Sequence, residues 1–211
     1  MRKIIDLTHP MYDGLEAFPG NQNVKISPLH EIDQGGYRVN TFLMDGHTGT
    51  HIDVPWHVFP DGETLEKLDL GKCIGPAFRV SLPKGRGEHI SPEELKPYEE
   101  KIVRTKRLIL ATGWSSQFGG EEFYVDFPGV SIDAARWLVD KGVVLLGLEQ
   151  PSVHPDDGLE VHHILLEAKV AIVEAIAWPQ RIPSDEFELI CLPLAIRGGN
   201  GAPTRTVAVV H

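Results

Sequence analysis

The chain has 211 residues, 42% of them hydrophobic, enough for one well-buried core and short for two independent ones. Its formal net charge of -10, with no lysine and arginine cluster to offset it, argues against a nucleic-acid or anionic-membrane surface and leaves small molecules as expected partners. The two cysteines, Cys73 and Cys191, form no Cys-x-x-Cys motif, so neither a disulfide framework nor a thiolate zinc site is indicated and a reducing cytoplasm is expected.

From Met1 the chain meets Asp6 and His9 before any apolar run reaches signal-peptide length, and no apolar stretch of membrane-spanning length follows, which reads as a soluble, untargeted protein. Apolar, β-branched runs bounded by turn residues predict strands over 4–7, 37–44, 77–82, 107–111, 143–148, 170–176, 187–192 and 204–210. Helix signals are fewer. Ser91-Pro92-Glu93-Glu94 offers an N-cap, a proline in the first turn and a capping-box glutamate; Ser131 caps a helix over 132–141 that Gly142 ends; a third helix is expected over 159–168. The strand, helix, strand order around 107–148 predicts a βαβ-like unit, and the last two strands read as antiparallel neighbours. Between them, the run from Arg197 to Pro203 is rich in glycine but lacks the setting of a dinucleotide or phosphate loop, and reads as a flexible hairpin connection. The expectation is a single α/β domain over 1–211 with a mixed β-sheet core and a few helices.

After the second predicted strand, Asp45-Gly46-His47-Thr48-Gly49-Thr50-His51-Ile52-Asp53-Val54-Pro55-Trp56-His57 places His47, His51, Asp53 and His57 at odd-numbered positions. Alternate residues of an extended chain face one side, so this parity is a property of strand-like backbone. A helix fits poorly: at about 100° per residue His51 and Asp53 point apart, and Gly49 and Pro55 sit in a costly interior. A straight strand carries His57 roughly 33 Å from His47 at about 3.3 Å per residue, so convergence requires a curl, with Gly49 and Pro55 as the bends. Imidazole and carboxylate suit zinc, manganese or iron(II), and an aspartate two residues after a histidine can share or bridge the same ion. These residues point to metal-dependent hydrolysis.

Glu174 lies in the apolar strand 170–176, where an ionised carboxylate needs a cation and no lysine or arginine nearby in sequence supplies one. Upstream, the pair His162-His163 falls in the third predicted helix, and local periodicity does not choose which of them faces a site. Glu149 ends the run 143–148 before Gln150-Pro151-Ser152, a position for either a site residue or a turn capped by Ser152. Phe18, Trp56 and Phe59 are available for the apolar wall an aryl substrate needs, or for ordinary core. No Gly-x-Ser-x-Gly elbow supports a serine nucleophile.

The run from His47 to His57 resembles the signature of the cyclase family of metal-dependent hydrolases, which includes bacterial kynurenine formamidases and isatin hydrolases. Further resemblance lies in Ile5-Asp6-Leu7-Thr8 with Phe18-Pro19-Gly20, in the run from Gly147 to Ser152, in His162 with Glu174, and in Leu192-Pro193-Leu194 through the closing glycine loop. It covers nearly the whole chain. The resemblance implies a cyclase-like fold of the swivelling β/β/α type. It further implies that His47, His51 and Asp53 bind one metal, that Asp53 and Glu174 bridge to a second, and that His162, not His163, completes the second site. Zinc, as one or two ions, is the implied cofactor, with manganese as an alternative, and a homodimer or larger homo-oligomer is implied. His57 is similar to the family's general acid/base, and Phe18 to a substrate-contacting position where the formamidases carry tryptophan; Asn21 and Asn200 stand where aspartates are common.

The length resembles that of the formamidases rather than the longer isatin hydrolases. The implied activity is then that of an arylformamidase, hydrolysing N-formyl-L-kynurenine to L-kynurenine and formate in tryptophan catabolism. Water activated by the metal would attack the carbonyl, and His57 would pass a proton to the leaving amine. Opening of a cyclic amide or lactone is the alternative within this chemistry. A metal-loaded small-molecule-binding protein without turnover is the alternative outside it.

Overall fold

Most of the β-branched runs pair into one curled sheet. A computed structural model describes residues 2–156 and 158–211, the side chain of Gln34 excepted; Met1, part of the stretch read above for a signal segment, lies outside the described residues. In chain order the strands are β1 (Lys3–Asp6), β2 (Lys25–His30), β3 (Val39–Leu43), β4 (His51–Asp53), β5 (Ile74–Ser81), β6 (His89–Ile90), β7 (Arg107–Ala111), β8 (Gly129–Val130), β9 (Leu145–Leu148), β10 (Ala171–Glu174), β11 (Glu186–Pro193) and β12 (Gly201–Val210). The helices are α1 (Ile32–Gly35), α2 (Pro92–Leu95), α3 (Glu99–Thr105), α4 (Ile132–Asp140) and α5 (Glu160–Glu167).

Among the described residues the main sheet has eight strands, in the order β1-β12-β11-β5-β7-β9-β10-β4. Its centre, β5-β7-β9-β10, is parallel, and β7, β9 and β10 are nearly continuous apolar runs, as burial on both faces requires. The flanks are antiparallel. The start of β12 pairs with β4, Gly201 opposite Asp53 and Pro203 opposite His51, while its remainder pairs with β11 and β1. Because β4 also pairs with β10, the sheet closes on itself around the site-bearing strand.

Two cores result from the alternation of side chains. Ile52, Ile109, Leu145, Val173, Leu189 and Ala208 pack together on one face. Leu108, Leu110, Leu146 and Ile172 on the other face meet Leu95, Ala134, Leu138, Val161 and Leu165 from the helices. The expected βαβ unit is β7-α4-β9, and β11 and β12 are antiparallel neighbours as expected. Ser91 and Glu94 form the capping box of α2, and Ser131 accepts from the Ala134 N–H at the start of α4.

The differences from expectation have local causes. Strand β2 has no clear alternation and contains Pro28, a weak strand signal, yet it pairs with β3 as an isolated ribbon. Helix α3 was not expected; it follows Pro97-Tyr98 and stops at Lys106, whose φ is +59°. No helix among the described residues is long and apolar enough to cross a membrane.

Candidate metal centre

Strand β4 carries the first ligands because it is caught between two partners. His51 lies opposite Glu174 of β10, so the early polar run and the distant apolar strand are brought together by strand register. His51, Ile52 and Asp53 are all buried; Ile52 points to one core, and the two polar side chains share the other face. Only these three residues are strand, a shorter extended piece than the parity implied. Gly49, at φ +61°, and Pro55, which opens a single 3-10 turn over Pro55–His57, supply the bends. The turn brings the His57 ring to 4.1 Å from that of His47 and 5.6 Å from that of His162, centroid to centroid.

The six expected side chains converge. His47 Nδ1 lies 2.7 Å from Asp53 Oδ1, and His51 Nε2 lies 3.4 Å from the same oxygen and 3.3 Å from Glu174 Oε2. His162, on the buried face of α5, places Nε2 at 3.4 Å from Glu174 Oε1 and 3.8 Å from Asp53 Oδ2. His163 packs instead against Phe59. One donor atom each from His51, Asp53 and Glu174 lie within 4.8 Å of one another, as do one each from His47, Asp53 and His57.

This donor set fits a divalent cation. Both carboxylate oxygens of Asp53, Glu174 Oε1 and His51 Nε2 are buried and form no hydrogen bond, despite their close approaches. Buried charged atoms in that state are costly unless a positive charge sits among them. Burial disfavours an imidazolium at His51, yet the Asp53 and Glu174 carboxylates overcome it and hold its pKa well above the usual value. Burial likewise opposes ionisation of Asp53, and His47 and His51 reverse this, keeping its carboxyl well below the usual carboxylate range. Ring orientation is also prepared. The Gly49 carbonyl lies 2.8 Å from His51 Nδ1 and Asn200 Oδ1 3.3 Å from His47 Nε2, which leaves His51 Nε2 and His47 Nδ1 to face the carboxylates.

A cavity of about 260 Å³ opens onto His47, His51, His57, His162 and Glu174. Its apolar wall is Phe18, Phe118, Phe123 and Tyr124, with Phe18 edge-on to Tyr124 at 5.8 Å. Of the three aromatics considered from sequence, Phe18 is therefore in place. Trp56 and Phe59 are not: the 3-10 turn that brings His57 inward leaves Trp56 40% exposed, and Phe59 packs on the helix-side core. Glu149 is completely buried and accepts hydrogen bonds from Thr112, Ser115 and Gln180, while Ser152 lines the cavity. Burial, against those hydrogen bonds, pushes the Glu149 carboxyl up. Sequence reasoning missed Phe118, Phe123 and Tyr124, which carry no local signal beyond being aromatic. It also missed the role of the glycine loop: Asn200 contacts His47, and a Cβ on Gly201 would lie 2.7 Å from His47 Cε1.

The family model described as "Putative cyclase" matches residues 5–155. The chain belongs to the cyclase family. Among cyclase relatives, the kynurenine formamidase of Bacillus cereus is 34% identical over 207 residues, covering 96% of this chain and 95% of that protein. The kynurenine formamidase of Bacillus anthracis is 33% identical, covering 97% and 96%. Of solved structures, a predicted metal-dependent hydrolase from Bacillus stearothermophilus is 25% identical with a TM-score of 0.78, covering 99% of this chain and 98% of that one. An isatin hydrolase bound to the product analogue thioisatinate shares the cyclase fold at 22% identity and a TM-score of 0.88, covering 99% and 92%.

Proposed function

We propose that this chain is a metal-dependent amidohydrolase acting on a non-peptide C–N bond, an arylformamidase that hydrolyses N-formyl-L-kynurenine to L-kynurenine and formate in tryptophan catabolism. The observation that carries the reading is the pair of buried carboxylates, Asp53 and Glu174, flanked by His51 and His162 beneath an aromatic-walled cavity. Similarity to the kynurenine formamidases supports the choice of substrate. In this reading residues 1–211 work as one domain.

His47, His51, Asp53, His162 and Glu174 would hold one or two divalent ions; zinc suits these nitrogen and oxygen donors, with manganese as the alternative. A divalent cation bound there would acidify water and polarise a carbonyl beside it. His57 supplies proton transfer. Burial first, then the neighbouring His47 and His162, pulls its pKa below the ordinary value against the Asp53 and Glu174 carboxylates, so its ring is neutral at neutral pH. A neutral imidazole accepts a proton at a ring nitrogen and returns it to the departing amine nitrogen. Phe18 and Tyr124, packed edge-on against each other, offer an apolar wall against which the aryl ring would lie.

The test is hydrolysis of N-formylkynurenine measured beside isatin and simple lactones, with zinc and manganese varied. Preferential formamide hydrolysis is expected, and preference for a ring substrate would replace this reading with the ring-opening one. That second reading draws on one observation: no lysine or arginine is among the described residues lining the cavity, so a neutral cyclic amide also suits it. A homodimer belongs to the proposal, supported by the β2–β3 ribbon, which exposes Leu29, Tyr37, Phe42 and Leu43; sedimentation equilibrium checks it. Cytoplasmic location is supported by Cys73 and Cys191, both buried free thiols.

A further inference from the structure

The chain turns sharply where Glu174 ends β10. Ala175, the next residue, has φ +51°, a left-handed conformation that residues with a Cβ rarely adopt. It is buried and lines the cavity. Two bonds hold it there: its N–H donates to the Gln150 carbonyl at 2.9 Å, and its carbonyl accepts the Thr50 hydroxyl at 2.6 Å. Thr50 is itself fully buried. Its hydroxyl oxygen also accepts the His9 N–H at 3.0 Å, and its own backbone carbonyl accepts the Thr204 N–H at 2.9 Å.

Thr50 immediately precedes His51, and Ala175 immediately follows Glu174, which is opposite His51 in the ladder. Beyond that pair the ladder between β4 and β10 ends, because the Ile176 N–H turns to the Leu148 carbonyl and the Ala177 N–H to the Leu7 carbonyl. The hydroxyl therefore bonds across the gap where the backbone pairing stops.

We infer that Thr50 is a positioning residue of the metal centre, its hydroxyl clamping the strained turn after Glu174 to the strand that carries His51 and Asp53. The single O–H donor and an oxygen lone pair are both in use, so a shape-matched valine fills the space but removes the hydroxyl that the Ala175 carbonyl and the His9 N–H share. Serine preserves both bonds. The clamp sets the spacing between Glu174 and His51, and so the size of the gap a cation would occupy. This inference rests on reading the centre as a metal site.

The experiment strips the purified full chain of metal and titrates zinc and manganese by competition with a chromophoric chelator, in the unsubstituted protein and in Thr50→Val, Thr50→Ser and Thr50→Cys. Thr50→Val should bind about 10- to 100-fold more weakly, the range found when groups that orient ligands are removed. At saturating metal its kcat for an aryl formamide should fall while KM stays within about threefold, as expected when transition-state geometry is lost but ground-state contacts remain. Thr50→Ser should stay within about threefold in affinity, and Thr50→Cys, whose thiol is a weaker donor, should fall between. A folded Thr50→Val variant with unchanged metal affinity overturns the inference, as does a Thr50→Ser variant as weak as Thr50→Val. Should Thr50→Val fail to fold, an unchanged affinity in Thr50→Cys overturns it instead. If the unsubstituted protein takes no metal, the reading of the whole centre falls with it; metal binding that is indifferent to Thr50 removes the clamp alone.

Discussion

Acid should unfold this protein in part through His9, a residue outside the ligand cluster. Its ring is 2% exposed and lies flat on Phe118, with centroids 3.7 Å apart and planes 4° from parallel. Trp178 meets it edge-on at 5.0 Å, and the Arg181 guanidinium sits 4.2 Å above the Trp178 ring. Nε2 is buried without a hydrogen bond. Burial first, and the Arg181 charge second, lower the pKa of His9 to about 4. In the unfolded chain it titrates near 6.5. Between those values the unfolded state takes up a proton that the folded state refuses, so stability is full above about pH 6.5 and declines as pH falls towards about 4. A gap of about 2.5 units at about 1.4 kcal/mol each caps the loss at about 3.5 kcal/mol, of which about 3 is reached by about pH 4, less whatever the surroundings relax. His9→Phe keeps a flat ring against Phe118 and removes the proton site. Urea unfolding of both proteins in chelator, at several pH values from 7 to 4, isolates the effect, because every other acid-sensitive group is common to both. The stability difference should shift in favour of His9→Phe by about 2 to 3 kcal/mol across that range. Parallel stability curves would refute the reasoning.

Asp53→Ala should lose metal and activity together, whereas His57→Ala should retain metal and lower turnover by roughly 10² to 10⁴, checked by metal analysis alongside kinetics. Equal metal loss in the two variants would make His57 a ligand. Gly201→Ala places a Cβ 2.7 Å from His47 Cε1 and 2.9 Å from the Ile52 carbonyl, so it should weaken metal binding by about tenfold or more while circular dichroism stays unchanged. Full metal affinity in that variant would show that His47 can give way. Phe18→Ala removes a cavity wall that is 41% exposed, and KM for an aryl formamide should rise by about tenfold with kcat little altered. A kcat loss without a KM change would mean that Phe18 acts on the reacting geometry instead.

Local chemistry made much of the site legible before any fold was known. The parity of His47, His51, Asp53 and His57, the glycine and proline bends and the misplaced charge of Glu174 are all readable over a few residues, because side-chain alternation and capping are short-range effects. The capping box at Ser91, the cap at Ser131 and the β7-α4-β9 unit were legible for the same reason. The ribbon strand β2 and the aromatic wall were not, since Pro28 obscures the one and no pattern marks the other. Trp56 shows the limit plainly: as apolar on paper as Phe18, it faces away because one 3-10 turn rotates the chain. By itself, then, the sequence determined which side chains are available to hold a cation and where the backbone can bend to present them. Only the tertiary structure decided that residues 51 and 174 stand opposite each other, that Thr50 spans the end of their ladder and that Asn200 reaches His47. Those pairings depend on the register of strands far apart in the chain, and register is set by how the whole sheet closes rather than by any stretch within it.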